Sequence, residues 1–152
     1  MQCSTWKPIT AATLVCGTLD ILFAMILTIL RGRHIPDMLR FVASGPFPEA
    51  VHWGAGGALL GLAVHFTIMA ILVALYVLLA PKFPHNLEMP FRSGLAYGVV
   101  TWAVMNLVVV PLRFPAAWPP TKLAVATQLF AHIVLVGLPM AYITRRYLRR
   151  QA

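Results

Sequence analysis

Acidic residues are nearly missing from this chain. Four Asp and Glu stand against twelve Lys and Arg in 152 residues, and charged residues make up 11% of the whole. Average soluble domains carry about 25% charged and 45–50% apolar residues. Here the apolar share is 60% and the mean hydropathy is +0.81. Intrinsic disorder is excluded, because it requires low hydrophobicity. A soluble fold is excluded by size, since a small domain keeps much of its surface exposed and could not hide so many apolar side chains. Cysteine is scarce as well. Cys3 and Cys16 have no partner at metal or redox spacing, and both are expected as free thiols. No Ser/His/Asp hydrolase motif, phosphate loop or HExxH helix is present, so no catalytic residue and no reaction is assigned.

The net charge of +8 would suggest nucleic acid if the protein were soluble. The basic residues stand instead at the ends of apolar runs, where membrane proteins meet water and anionic headgroups. No clustered basic face interrupts those runs, and no nucleic-acid partner is expected.

What the sequence does contain is four long apolar runs, roughly residues 9–30, 54–79, 93–112 and 123–143. Each has the approximately 20 residues needed to cross a bilayer. The first is too long for a signal-peptide core, carries Asp20 and has no prompt A-x-A-like site after it, so it is expected to be retained. Between the first two runs, Ile35, Met38, Leu39 and Val42 recur at helical spacing, with Asp37 and Arg40 on the other side. That segment is too short to span and reads as an interfacial amphipathic helix within 34–44. The other connections are short and Pro-rich. The expected fold is all-α: one polytopic membrane domain over 1–152, a four-helix bundle with a short surface helix between the first two spans.

Orientation follows the basic residues. Lys7, Lys82, Arg92, Arg145, Arg146, Arg149 and Arg150 collect on one side, and Arg31, Arg33, Arg40, Arg113 and Lys122 on the other. This asymmetry puts both termini in the cytoplasm.

Residues four apart share a helix face. Gly57, Gly61 and His65 form such a stripe on the second run, and Gly94, Gly98, Trp102 and Asn106 on the third. Thr13, Gly17, Asp20 and Ala24 lie on one face of the first run, and Gln128 and His132 on one face of the fourth. Gly57/Gly61 and Gly94/Gly98 are GxxxG steps, which serve packing within a chain or a dimer face. Antiparallel neighbours bring the polar members of the stripes to similar depth. Asp20, His65, Asn106, Gln128 and His132 are therefore expected to form one intramembrane polar cluster, since ionisable groups at that depth face inward and find partners.

The leading reading of the cluster is interhelical glue in a small non-enzymatic membrane protein that acts through a membrane partner or as a homo-oligomer. The alternative is a proton- or ion-coupled transport element using Asp20, His65 and His132. A ligand cleft, a zinc-type His/His/Asp site and a b-type haem between His65 and His132 are further readings. No metal and no cofactor is assigned.

From His65 onward the landmarks also run in a recognisable order. His65-Phe66 is followed by Tyr76, Phe83-Pro84, Gly94, Gly98, Pro111-Leu112, a Pro-rich stretch over 115–120, His132 and a basic tail beginning Arg145-Arg146-Tyr147. This order resembles the YagU-like family of bacterial inner-membrane proteins over about the last 90 residues. The resemblance implies a bacterial cytoplasmic membrane and an inward role for His65 and His132, and it implies no particular activity.

Overall fold

The computed structural model describes residues 5–149, so Cys3 and Arg150 lie outside the described residues. Among the described residues the fold is all-α, with 88% of them helical. Its elements are α1 (Trp6–Leu30), α2 (Ile35–Ala43), α3 (Gly54–Lys82, its last turn 3-10), α4 (Pro84–Glu88), α5 (Pro90–Arg113) and α6 (Lys122–Arg149). Among the described residues, α1, α3, α5 and α6 are long and apolar enough to cross a membrane. Each contains one of the expected runs and extends a few residues beyond it.

The connection between α1 and α3 is built to be tight. Gly32 takes a positive φ of 68° after α1, a conformation that a side chain would strain. Pro36 suits the first turn of α2, and Asp37 near its start and Arg40 near its end match the helix dipole. Asp37 and Arg40 also pair with each other. α2 lies along the first turns of α3, where Gly57 and Gly61 leave room. A Cβ at Gly57 would lie 3.2 Å from Arg40 Cγ, and one at Gly61 would lie 2.6 Å from the Leu39 carbonyl carbon. The Gly57/Gly61 stripe is thus filled by the short helix rather than by another long one. Arg113 at the end of α5 donates to the Gly45 carbonyl and, at 2.9 Å, to the Ser44 carbonyl. Phe41 stacks on Phe114 at 4.4 Å beside it.

The long helices meet along distinct seams. Gly17 of α1 faces Phe66 and Met69 of α3, and a Cβ there would lie 2.6 Å from Phe66 Cε1. α5 crosses α6 on three glycines: a Cβ at Gly94 would lie 2.7 Å from the Gly137 carbonyl oxygen, and one at Gly98 would lie 2.7 Å from Ile133 Cα. Gly137, the third member, has no counterpart among the sequence-expected packing residues. α3 and α5 touch through tyrosines, Tyr97 donating to the Leu72 carbonyl at 2.7 Å and Tyr76 bonding Ser93 Oγ at 2.6 Å.

The core occupies the half of the bundle that carries the chain ends. Ala12 and Cys16 come from α1, Met69, Val73, Tyr76, Val77 and Ala80 from α3, and Val136, Met140, Ala141 and Leu148 from α6. The Cys16 thiol is free and reaches the Val136 carbonyl at 3.4 Å.

Two stretches depart from α geometry, Val104–Val109 in α5 and Ala131–Gly137 in α6, both π-helical. Proline is the cause in each. Pro111 and Pro139 have no N–H for the carbonyl four residues back, and their rings crowd that carbonyl. The ladder shifts by one: Val110 N–H bonds the Met105 carbonyl and Leu138 N–H the Ile133 carbonyl, five residues back in both cases.

Candidate functional site

Three polar side chains stand at the far margin of the core. Asp20 is four residues beyond Cys16 on α1, His65 four before Met69 on α3, and His132 four before Val136 on α6. Four residues is about one helical turn, so each polar group stacks directly on the last core residue of its own helix. α1 runs opposite to α3 and α6, and the three therefore collect at one level.

His65 is the best-fixed of them. Gly17 has no side chain, which lets α3 approach α1 until His65 Nε2 is 2.9 Å from the Gly17 carbonyl oxygen. That oxygen can only accept, so Nε2 carries the proton and donates. The other ring nitrogen, Nδ1, is then turned to Asp20 Oδ2 at 3.9 Å. The Phe66 ring stands edge-on to the imidazole at 5.3 Å. The His65 side chain is 12% exposed and that of Asp20 23%. Both imidazoles, His65 and His132, lie within electrostatic reach of the Asp20 carboxylate.

The remaining members of the expected cluster are arranged differently. His132 Nδ1 is 2.9 Å from the Gln128 carbonyl of its own helix, which fixes its tautomer and leaves Nε2 as the acceptor. Asn106 Nδ2 donates to the Trp102 carbonyl, also on its own helix, at 3.1 Å. Both bonds are local and cross no seam. Gln128 is exposed. No residue of Lys122–Phe130 or of Val104–Val109 is buried, so the bundle does not enclose these turns. Among the described residues, Asn106 and Gln128 thus add no hydrogen bond to the Asp20–His65 pair. Among the interhelical polar contacts that sequence reasoning missed are those of Tyr76, Ser93 and Tyr97. Their signal was a pair of tyrosines within apolar runs, whose hydroxyls need partners once buried.

The chemistry available to this arrangement is limited by its donors. Among the described residues, no three His, Cys, Asp or Glu side chains come together as a metal-ligand set. Axial ligation of a haem by His65 through Nε2 would compete with its bond to Gly17. What Asp20 and His65 can do is pair across 3.9 Å and, where that gap closes to hydrogen-bond distance, exchange a proton. With one proton between Asp20 Oδ2 and His65 Nδ1, the pair is neutral as acid plus imidazole and neutral overall as carboxylate plus imidazolium. Neither form leaves an uncompensated charge, which is the state that low-dielectric surroundings penalise most.

Comparison of the chain with known protein families, with curated proteins and with solved structures finds no match. Function is therefore argued from this geometry.

Proposed function

We propose that this chain is a small multi-pass protein of the bacterial cytoplasmic membrane, with both termini in the cytoplasm, in which Asp20 and His65 form a proton-exchanging pair near mid-membrane. One observation carries the reading: Gly17 holds His65 by Nε2 so that Nδ1 faces Asp20 across 3.9 Å. Intramembrane carboxylates and imidazoles are expensive, and where they occur in pairs they commonly carry protons. The core residues next to the pair on the chain-end side, Cys16, Met69, Val73 and Val136, are buried to 4% exposure or less, and Tyr76 and Thr144 farther along that side are buried as deeply. Exchange is then from the side bearing α2. The pair is one station and not a continuous path, since Asn106 and Gln128 do not extend it. The expected membrane partner or second copy supplies the remainder.

A second reading rests on the local bonds of His132 and Asn106. They give no proton wire across the bundle, and the Asp20–His65 pair is then a lock between α1 and α3. Infrared difference spectra of the purified protein across a pH step distinguish the two. Proton exchange predicts a protonated-carboxyl band that changes together with imidazole bands and vanishes in Asp20→Asn, whose fold is retained. A spectrum without any pH-dependent carboxyl band, together with a large loss of thermal stability in Asp20→Asn, leaves the lock.

A further inference from the structure

Asp20 is the only Asp or Glu within the four long apolar runs, and no Lys or Arg occurs at 8–30, 54–81, 93–112 or 123–144. The carboxylate therefore has no permanent cation at its own depth. Among the described residues nothing donates a hydrogen bond to it, and its one ion-pair contact is His65 Nδ1 at 3.9 Å. A carboxylate can accept several hydrogen bonds, and withdrawing it from water without a donor is costly.

The surroundings of Asp20 are aromatic. Gly17 and Phe23 stand three residues before and three after it, and are its neighbours on the helix surface. Gly17 is covered by the Phe66 ring of α3. Phe23 meets the Phe130 ring of α6 at 5.5 Å between centroids. Asp20 thus projects between α3 and α6, with an aromatic group on each side. Neither Val104–Val109 nor Lys122–Phe130 buries a residue, and the Asp20 side chain keeps 23% exposure. The carboxylate is therefore reachable without unpacking the core. Few titratable groups surround it. Cys16 of α1 is bonded to the Val136 carbonyl, and α3 and α6 supply His65 and His132. α5 has none between Tyr97 and Arg113, while Asp37 and Arg40 of α2 pair with each other.

We propose that Asp20 binds a lipophilic ammonium ion, a protonated amine on an apolar, ring-sized body, in exchange for the proton of the Asp20–His65 pair. The ligand class so named rests on the proton-exchange reading above. The ammonium N–H groups supply the donors that Asp20 lacks. The faces of Phe23, Phe66 and Phe130 suit both a cation and its apolar body. The exchange balances: one proton leaves the pair, one ammonium enters, no covalent bond changes, and the site stays neutral in both states. Neutrality is what a poorly solvated carboxylate requires.

Isothermal titration calorimetry of the full chain in detergent, with phenethylamine as the probe, tests this. Repetition in two buffers of different ionisation heat counts the protons. A single proton should leave for each amine bound at neutral pH. Because the proton competes, affinity should fall about tenfold for each pH unit of acidification. Asp20→Asn should weaken binding on the order of a hundredfold, the usual effect of truncating one partner of a desolvated charge pair. Ethylamine lacks the ring and phenethyl alcohol lacks the charge, and each should bind at least about tenfold more weakly. Equal affinity for either of them overturns the assignment. Binding without proton release overturns the exchange. Where Asp20→Asn does not fold, the proton count and pH dependence of the unaltered protein decide. A carboxyl infrared band that titrates, with no amine binding, refutes only this inference. Absence of both the band and the binding refutes the proton-exchanging pair as well.

Discussion

Single residues decide how closely these helices approach. Gly98 of α5 is the clearest case, because a Cβ there would lie 2.5 Å from the His132 carbonyl oxygen and 2.7 Å from Ile133 Cα. Both are backbone atoms and cannot swing aside. Gly98→Ala should therefore destabilise the protein by about 1–3 kcal/mol, the usual cost of overpacking. Gly56 is the matching control, since a Cβ there meets nothing within 4 Å. Gly56→Ala, inside α3, should be neutral or stabilise by up to about 1 kcal/mol by relieving the backbone entropy of glycine. Thermal unfolding of both variants in detergent checks the contrast, and equal behaviour would remove α5–α6 packing from the account. At this scale the sequence was partly legible. Spacing by four put Gly94 and Gly98 on one face, and the same spacing aligned Gly57 with Gly61 and His65. It could not say which neighbour each stripe meets. Gly57 and Gly61 accept a nine-residue helix, and no periodicity within α3 encodes that choice. Asp20 and His65 were legible as polar exceptions in apolar runs. Gln128 was not separable from them, because the enclosure of a turn depends on neighbouring helices and not on its own sequence.

At the level of elements, α2 is held more by its neighbours than by its own length. Nine residues form a marginal helix in isolation. Its apolar side is fixed by Leu39 and Ala43 against α3, and the carbonyls just beyond its end are met by Arg113. Those carbonyls follow directly on the helix C-terminus, whose partial negative charge a guanidinium matches. Arg113→Gln should cost about 1.5–3 kcal/mol, the range of a charged hydrogen bond. Hydrogen exchange should rise in α2 and in residues 44–47 and remain unchanged at the α5–α6 crossing. Uniform faster exchange throughout the chain would show that Arg113 supports the whole bundle and not α2 in particular. The amphipathic spacing of 35–42 made the existence of α2 readable, but its clamp was not, since Arg113 is remote in sequence from Gly45. The π-helical stretches escaped notice for a different reason. Pro111 and Pro139 were visible, and a proline near the end of an apolar run reads equally well as a terminus or a kink. Continued packing beyond them, on Met140, Ala141, Thr144 and Leu148, selects the distorted but unbroken helix in α6.

Across the whole molecule, packing is unequal between the two ends. The large core cluster belongs to the half with the chain ends, and the opposite half relies on α2, the Gly45–Arg113 contact and a smaller set of buried side chains that includes Leu39, Ala43 and Ala50. Mean hydropathy made the four long helices legible without ambiguity, because no other fold disposes of so much apolar surface in so few residues. The imbalance between halves was not legible, since both halves are about equally apolar along the chain. Orientation in the bilayer is the remaining property of the molecule as a whole. Lys7, Lys82, Arg92, Arg145, Arg146 and Arg149 belong to the tightly packed end, by their positions at the starts of α1 and α5 and the ends of α3 and α6. Arg31, Arg33, Arg40, Arg113 and Lys122 belong to the α2 end, where Arg40 is paired with Asp37 and Arg113 is spent on backbone carbonyls. On the proposed membrane reading, retention of positive residues on the cytoplasmic side would turn the packed end inward and α2 outward. Alkaline phosphatase fused after Arg149 should be inactive, and the same enzyme fused within 115–120 should be active, because it folds only outside the cytoplasm. The reverse pattern would place the Asp20–His65 pair in contact with the cytoplasm through its open side. This one measurement therefore fixes the direction of the proposal.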